Sequence, residues 1–246
     1  MTFEQRSARA ALLASQHEAA REVLEFAAKL CAAQASVWRT AALGRPDSGG
    51  PLSSTLDQVV TVSRPILEVI AERSEEAEKR LKDDPETAKT RLSVFWNEEH
   101  NDYIARAMLQ PYAEALREAR KDPDRLHRQG HCPFCGGAPW ISFRKGEEAG
   151  VRYLSCSLCG LDWNFNRISC PSCGEEDPHK LPMFQSDAHK NVRLEACETC
   201  RRYVKSIDLS RDARPIPEVD DLVSIAMDLW AVEEGWTRIE PGLAGL

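Results

Sequence analysis

Apolar residues in the first part of the chain recur at helical spacing. One helical face carries Leu13, Ala20, Leu24, Ala27 and Cys31. A recurrence every three, four or seven positions is typical of a helix with one buried side. Residues 42–54 (ALGRPDSGGPLSS) collect Gly, Pro and Ser, which predicts a loop. The pattern therefore predicts a helical domain over residues 1–128.

Prolines and capping residues divide this helical part. Ser63 can cap a new helix with Pro65 in its first turn, and Asp84 before Pro85 repeats that signal. Pro111 lies inside an otherwise helical pattern. A proline there removes a backbone hydrogen bond, so it should kink or divide the helix. We expect a bundle of several helices.

The pattern changes after Gly130, where the polar segment RKDPDRLHRQG predicts a domain boundary. Short runs that alternate apolar and polar residues follow (APWISFR, VRYLS and LDWNFNR), as is typical of strands in hairpins. Helical spacing returns in EVDDLVSIAMDLWAVEEGW, and Gly235 is expected to end that helix. One apolar stripe of this helix should face the core. The stripe consists of Leu222, Ile225, Ala226, Leu229 and Trp230.

Eight of the nine cysteines lie within 69 residues and form four Cys-x-x-Cys pairs. In order, the pairs are Cys132/Cys135, Cys156/Cys159, Cys170/Cys173 and Cys197/Cys200. Twenty residues separate the first two pairs and twenty-three separate the last two, which is typical of four-thiolate metal sites. Corresponding cysteines recur 38 and 41 residues apart, which indicates a duplicated unit. We therefore predict two tandem modules, over residues 129–168 and 169–212, and a C-terminal helix and tail over 213–246.

Glycine follows the second cysteine of three pairs, at Gly136, Gly160 and Gly174. A turn that curls around a metal often needs positive φ at this position, and glycine adopts it without steric cost. The curled backbone then directs N–H groups at the sulfurs. Arg201 occupies this position in the fourth pair, so that turn should be more strained or differently shaped.

Other uses of the cysteines fit the sequence less well. Disulfides are rare in cytosolic proteins, and a thioredoxin-like pair needs a βαβ context that this sequence lacks. Sharing of one ion by the first and third pairs stays open as the alternative to consecutive pairing. Cys31 is expected to be a small buried hydrophobe. Because each site already has four thiolates, the neighbouring His131, His179 and His189 are expected to be solvated.

Composition limits the functions that this chain can have. Lys and Arg total 32 against 39 Asp and Glu, a net charge of -7, which argues against a generic binder of nucleic acid or anionic membranes. No stretch approaches about 18 consecutive apolar residues, so we expect neither a signal peptide nor a membrane span, and a cytoplasmic protein. The sequence has no convincing Ser/His/Asp triad, P-loop or dinucleotide fingerprint. Four thiolates also leave no open position for a substrate, so the chain is not expected to be an enzyme.

At these residues the sequence resembles the family of the bacterial formate dehydrogenase accessory protein FdhE. The similar segments are IARAMLQPYAEAL, HCPFCGGAPW, GVRYLSCSLCGLDWNFNRISCPSCG, LEACETCRRYVKSIDL and DDLVSIAMDLWAVEEGW. The resemblance implies an α+β fold, with an N-terminal helical domain followed by two tandem rubredoxin-like modules. It also implies a cytoplasmic assembly factor that binds the catalytic subunit of formate dehydrogenase.

The resemblance further implies one iron in each module, held by four cysteines; the spacing of the cysteines alone also allows zinc. The eight ligands carry over one by one. They are Cys132, Cys135, Cys156 and Cys159 for one ion, and Cys170, Cys173, Cys197 and Cys200 for the other.

Arginine and aromatic residues between the cysteine turns suggest a docking surface for that partner, because both are enriched at interfaces. The residues of this expected surface are Arg152, Tyr153, Trp163, Arg167, Tyr203 and Lys205. Alternatively, the rings fill the cores of the modules. Two other functions stay open, a rubredoxin-type electron carrier and a zinc ribbon that binds nucleic acid. The second is disfavoured because residues 132–206 hold ten Lys or Arg against nine Asp or Glu and eight thiolates.

Overall fold

The computed structural model describes residues 1–43, 53–97, 101–119, 128–145, 151–210 and 212–245. Helices come first, a mixed sheet follows, and further helices end the chain, which confirms the predicted α+β class. The chain forms two compact units. The first comprises residues 1–8 and 26–121, and the second comprises residues 9–25 and 122–246. Most of the predicted loop at 42–54 and of the polar boundary segment lies outside the described residues, so the four-domain division stays a prediction.

Among the described residues, seven helices precede the sheet. They are α1 (Phe3–Gln16), α2 (Arg21–Leu43), α3 (Ser53–Val62), α4 (Arg64–Ala71), α5 (Glu75–Arg80), α6 (Pro85–Asn97) and α7 (Tyr103–Glu118). A short 3-10 turn, Glu18–Ala20, stands between α1 and α2. Within the first unit, α3, α4 and α6 pack against α7. In the described part of the chain, no helix is both long enough and apolar enough to cross a membrane.

The predicted helix starts occur, although one of them is capped differently. Asp84 accepts hydrogen bonds from the backbone N–H groups of Glu86 and Thr87, as expected of a cap. Ser63 precedes α4 with Pro65 in its first turn, but its side chain makes no capping bond. The Ser63 hydroxyl is fully buried and donates to the carbonyl of Met108 on α7 instead. A buried hydroxyl needs a partner, and α7 provides one.

Helix α7 is buried on all sides from Ile104 to Leu116. Pro111 does not divide it, so that part of the prediction is wrong. Two of its buried polar residues accept hydrogen bonds within the first unit. Glu114 accepts a hydrogen bond from Arg6 at 2.7 Å, and Gln110 accepts one from Gln34 at 2.9 Å.

In the described part of the second unit, the sheet has seven strands. They are β1 (Pro139–Lys145), β2 (Arg152–Cys156), β3 (Asp162–Phe165), β4 (Met183–Gln185), β5 (Val192–Cys197), β6 (Arg202–Leu209) and β7 (Thr237–Arg238). Their order is β3-β2-β1-β6-β5-β4, and β7 pairs with β6. The central pair β1/β6 is parallel, with Ser142 opposite Ser206, whereas β1/β2 and β5/β6 are antiparallel. The two cysteine-rich segments therefore contribute to one continuous sheet.

The C-terminal segment forms α8 (Pro217–Asp220), a 3-10 turn (Asp221–Ser224) and α9 (Ile225–Glu233). Gly235 follows at φ 77°, as expected of a helix stop. The predicted buried stripe is largely wrong: Ala226, Leu229 and Trp230 are exposed, and Ile225 is half-buried. Of the stripe, only Leu222 is buried. The buried face of α9 instead carries Met227, Asp228 and Ala231.

Candidate metal centres

The first cluster consists of Cys132, Cys135, Cys156 and Cys159. The first two lie in a turn before β1, and the last two lie at the turn between β2 and β3. Antiparallel pairing of β1 with β2 brings these two turns to the same end of the sheet. Cys132 Sγ lies 3.5 Å from Cys159 Sγ, and Cys135 Sγ lies 3.4 Å from Cys156 Sγ.

The second cluster repeats this arrangement with Cys170, Cys173, Cys197 and Cys200. Its first turn follows β3, and its second turn joins β5 to β6. Cys170 Sγ lies 3.7 Å from Cys200 Sγ, and Cys173 Sγ lies 3.6 Å from Cys197 Sγ. The sulfurs are thus grouped by consecutive pairs, and the first pair does not join the third.

Both clusters have the dimensions of a tetrahedral metal site. In each, all four sulfurs lie within 4.8 Å of one another. An ion with bonds of about 2.3 Å to four sulfurs needs them about 3.8 Å apart, close to the shortest distances in each cluster. A disulfide would need about 2.05 Å between sulfurs. The geometry therefore suits an ion shared by four thiolates.

Four similar turns hold the cysteine pairs. Gly136, Gly160 and Gly174 have φ of 75°, 63° and 77°, as the sequence predicted. Arg201 adopts φ 57°, alone among the non-glycine residues of the described chain in having positive φ. Its N–H donates to the carbonyl of Cys197 at 2.8 Å, the same bond that Gly136 makes to Cys132. The fourth turn is therefore not differently shaped, and Arg201 bears the conformational cost of a side chain there.

The turns direct backbone N–H groups at the sulfurs. In the first cluster, the N–H of Phe134 points at Cys132 Sγ and that of Leu158 at Cys156 Sγ, both at 3.4 Å. In the second, the N–H of Ser172 points at Cys170 Sγ at the same distance. Such bonds stabilise thiolate charge and tune the properties of a bound metal.

Thiol ionisation in the first cluster is unequal. Hydrogen bonds from the thiols of Cys135, Cys156 and Cys159 lower the pKa of Cys132. Burial raises the pKa of Cys156 above its usual range. Four thiolates at such short distances repel one another, and burial adds to the cost. A bound cation supplies the charge that makes four thiolates compatible with one site.

Two glycines show how tightly the chain packs near these clusters. A Cβ on Gly137 would lie 3.1 Å from Cys156 Sγ and 3.4 Å from Cys135 Sγ. A Cβ on Gly130 would lie 1.8 Å from the carbonyl oxygen of Pro171, so only glycine fits there. Because Pro171 lies in the first turn of the second cluster, the start of the first module touches the second module directly.

The two clusters differ in their exposure. Cys132, Cys156 and Cys159 are buried and Cys135 is half-buried. In the second cluster, Cys173 is exposed and Cys200 is half-buried.

Residues near the clusters lie as follows. His131 and His179 are exposed, whereas His189 is half-buried. Burial lowers the pKa of His189. Cys31 is fully buried in α2, as expected of a small hydrophobe.

The expected docking surface is corrected by the structure. Four of its residues, Arg152, Trp163, Tyr203 and Lys205, are at most 3% exposed, so the expectation that they lie on the surface is wrong. Tyr153 is half-buried and stacks on Phe143, and Arg167 is exposed. The rings of Trp163 and Tyr203 occupy the core, which was the alternative interpretation.

Arg152 is buried between the two modules, where its guanidinium finds partners in the second. From β2, its guanidinium forms an ion pair with Glu195 on β5 at 2.6 Å. It also donates to the carbonyls of Asn166 and Ser169, just before Cys170. Trp163 donates its indole N–H to the carbonyl of Gln129, so its polar atom is satisfied as well.

Tyr203 and Lys205 belong to a buried charge cluster with Asp221, Asp228 and Arg238. Lys205 Nζ pairs with Asp228 and lies 2.9 Å from Asp221 Oδ1. Arg238 pairs with the same two carboxylates at 2.8 and 3.1 Å. Tyr203 donates its hydroxyl to Asp228 at 2.8 Å. Two cations thus balance two carboxylates, which makes their burial tolerable.

Asp221, Asp228 and Arg238 are not among the site residues that the sequence predicted. One signal was available in the sequence. Tyr203, Lys205 and Ile207 lie on the same face of a strand, and a lysine buried on such a face needs a carboxylate partner. The spacing of seven residues between Asp221 and Asp228 puts both on one helical face.

Comparison with known proteins agrees with this architecture. A family model described as "FdhE, central domain" matches residues 131–167, which contain the first cluster. A second, "FdhE, C-terminal domain", matches residues 168–243, which contain the second cluster. Over residues 131–243 this chain is therefore similar to the FdhE family.

Relatives in this family extend the likeness. A protein FdhE homolog of Aquifex aeolicus is 31% identical over 160 residues, covering 63% of this chain and 56% of the relative. One of Pseudomonas aeruginosa is 40% identical over 119 residues, covering 46% and 38%. The matched stretches thus span about half of these FdhE relatives or less.

A solved structure shows the same fold. The crystal structure of the FdhE protein from Pseudomonas aeruginosa matches with a TM-score of 0.69, over 98% of this chain and 95% of that chain, at 23% identity.

Proposed function

We propose that this chain is an accessory protein in the maturation of formate dehydrogenase. In this role it binds the catalytic subunit in the cytoplasm and is not itself an enzyme. The observation that carries the proposal is the FdhE-family match over residues 131–243, which includes all eight paired cysteines.

The two clusters would act as a metal-stabilised scaffold for this partner. Each offers four thiolates, and a small β module with so little apolar core needs such an ion to fold. A four-thiolate site leaves no coordination position for substrate, which fits binding rather than catalysis. We propose iron in both clusters, with zinc as the alternative, held by the eight cysteines in their two groups of four. When bound, either ion supplies the positive charge that fixes the turns.

Complementation tests the function directly. In a host strain that lacks its own FdhE-family gene, expression of this chain should restore formate dehydrogenase activity. The variant Cys156→Ser, which removes a buried sulfur of the first cluster, should fail to do so. Anaerobic purification of a tagged chain should recover the catalytic subunit, and metal analysis of the same sample should show two ions per chain. Wild-type chain that restores no activity and retains no subunit would contradict the proposal.

A rubredoxin-type electron carrier is the second candidate, because Cys173 is exposed and an exposed ligand brings a metal close to a redox partner. The two functions differ in their need for iron. Zinc-loaded chain should still bind the catalytic subunit if the clusters are a scaffold. Iron-loaded chain that bleaches reversibly on reduction, and loses all function when zinc replaces iron, would favour the carrier.

A further inference from the structure

A cavity of about 240 Å³ opens beside the second cluster. Cys170 and Cys197 form part of its wall, and it extends to the sheet edge at Met183, the first residue of β4. Strand β4 is the last strand in the sheet order, so its outer edge has no neighbouring strand in the described chain. The cavity therefore lies where an extended segment of another chain could reach it.

Most of the cavity wall is apolar. Its apolar members include Ile168, Pro178, Leu181 and Ile239. Ile168 is 51% exposed and Met183 is 64% exposed at its mouth. Large apolar side chains exposed around a concavity are typical of a binding site for an apolar group.

Two guanidinium groups also line this cavity, those of Arg167 and Arg202. Both residues are exposed, and neither side chain has a hydrogen-bond or ion-pair partner among the described residues. Other arginines nearby are engaged: Arg144, Arg152 and Arg193 all pair with Glu195. In a chain of net charge -7, two unpaired arginines beside one apolar cavity are well placed to receive an external carboxylate.

From these observations we infer that the cavity docks an extended segment of a protein partner, one that presents a carboxylate next to a large apolar side chain. The apolar side chain enters the cavity, and the carboxylate pairs with Arg167 and Arg202. The backbone of the segment runs along β4, a common mode of peptide recognition. This inference rests on the proposed function, because the client enzyme is the source of the segment.

The size of the cavity favours a side chain over a free small molecule. Sites for small-molecule ligands usually measure about 300–1,000 Å³. The volume here is smaller and is adequate for one or two side chains. Additional affinity must then come from the open edge and the arginines, which a peptide can contact at the same time.

Peptide binding to the metal-loaded full chain tests this inference. The probes are two fluorescein-labelled peptides, one alternating glutamate with leucine and one alternating lysine with leucine. Fluorescence anisotropy should show that the wild-type chain binds the acidic peptide and not the basic one. The double variant Arg167→Glu/Arg202→Glu should reverse this preference. A matched control, Arg21→Glu/Lys190→Glu, makes the same charge change at exposed residues that do not line the cavity, and should keep the wild-type preference.

Failure has a clear form in this assay. Wild-type chain that binds neither peptide, or a charge-reversed variant that binds the acidic peptide as tightly as wild type, overturns the inference. If the charge-reversed variant loses its metal, Arg167→Gln/Arg202→Gln replaces it. That variant should weaken binding of the acidic peptide by about tenfold for each arginine.

Co-purification separates this inference from the proposed function. If wild type and charge-reversed chain both retain the catalytic subunit, the inference fails and the function stands. If only the charge-reversed chain loses the subunit, while the control retains it, both are supported. If wild type retains no subunit and restores no activity, the function fails, and the peptide assay alone decides the chemistry of the cavity.

Discussion

The two cysteine clusters have the same plan but different surroundings. The first has three buried sulfurs and glycine after each turn. The second has one exposed sulfur, and its last turn carries Arg201 in a conformation that favours glycine. Arg201 stacks on Trp236 at 3.6 Å and donates to the carbonyl of Glu234 at 2.8 Å. The second cluster is thus more exposed to solvent than the first, and Arg201 connects its last turn to the C-terminal segment.

This difference suggests a division of roles. A buried thiolate site is inert, whereas an exposed one is open to exchange and to partners. The first cluster is suited to stabilising the sheet. The second is suited to changing its metal binding when a partner binds beside it. The cavity at Arg167 and Arg202 adjoins the second cluster, which agrees with this division.

The largest expected contrast comes from removing one sulfur from each cluster. Cys156→Ser should lower the free energy of unfolding of the second unit by more than about 5 kcal/mol, because a structural ion stabilises small modules strongly. Cys173→Ser, at the exposed position, should lower the free energy of unfolding by clearly less. Urea unfolding followed by tryptophan fluorescence measures both, with metal content as the check. Equal losses would mean that the clusters contribute alike.

A second contrast concerns the buried charge cluster. Lys205→Met should destabilise the protein by about 3–5 kcal/mol, because Asp221 and Asp228 then lose one of their two cations. Metal should leave the second cluster faster, since Tyr203 and Lys205 follow its last turn, while the first cluster is little affected. Thermal unfolding and metal release measure the two effects. Lys190→Met, at an exposed lysine, is the control and should change neither.

A chelator should distinguish the two clusters by the rate at which each releases its metal. With excess chelator, we expect metal release in two phases, the second cluster losing its ion at least about tenfold faster because Cys173 is exposed. A colorimetric metal indicator follows the release, and alkylation with mass spectrometry identifies the cysteines freed first. Release in a single phase, or Cys156 modified before Cys173, would contradict the proposed difference.

The smallest contrast concerns the turns. Gly174→Ala should cost about 1–2 kcal/mol through positive φ alone, since a Cβ there meets nothing within 4 Å. Arg201→Ala should cost a similar amount, because it loses the contacts to Trp236 and Glu234 and keeps the strain. Arg201→Gly removes that strain and should be about 1 kcal/mol more stable than Arg201→Ala. Denaturant midpoints of the three variants test this order, and a Gly variant no more stable than Ala would show that the turn is unstrained.

Sequence patterns predicted the local features well and the long-range ones poorly. Spacing and the internal duplication favoured the consecutive grouping of the cysteines, and the glycine after three of the turns predicted positive φ at Gly136, Gly160 and Gly174. Both signals act within a few residues. The parallel pairing of β1 with β6 leaves no such local trace, because it joins Ser142 to Ser206 across 64 residues.

The errors in the C-terminal helix have the same origin. Its apolar residues suggested a stripe facing the core, yet Leu229 and Trp230 lie outside and Asp228 lies inside. Burial of Asp228 is stable only because Lys205 and Arg238 meet it from other elements. A pattern along one helix does not show such partners. Arg152 was misplaced for the same reason, since its partner Glu195 lies on a distant strand.

The parallel pairing of β1 with β6 also has a consequence for folding during translation, because β6 is synthesised much later than β1. Ser142 leaves the ribosome 64 residues ahead of its neighbour Ser206. At about 5–20 residues per second, the earlier strand waits about 3 to 13 seconds for that neighbour. Cys159 follows Ser142 by 17 residues, so the first four sulfurs are complete for most of this interval and can take up their ion, while one side of β1 stays open. Early binding of metal by the first cluster would therefore hold β1 against β2 until β6 has been synthesised and can pair with the open side of β1.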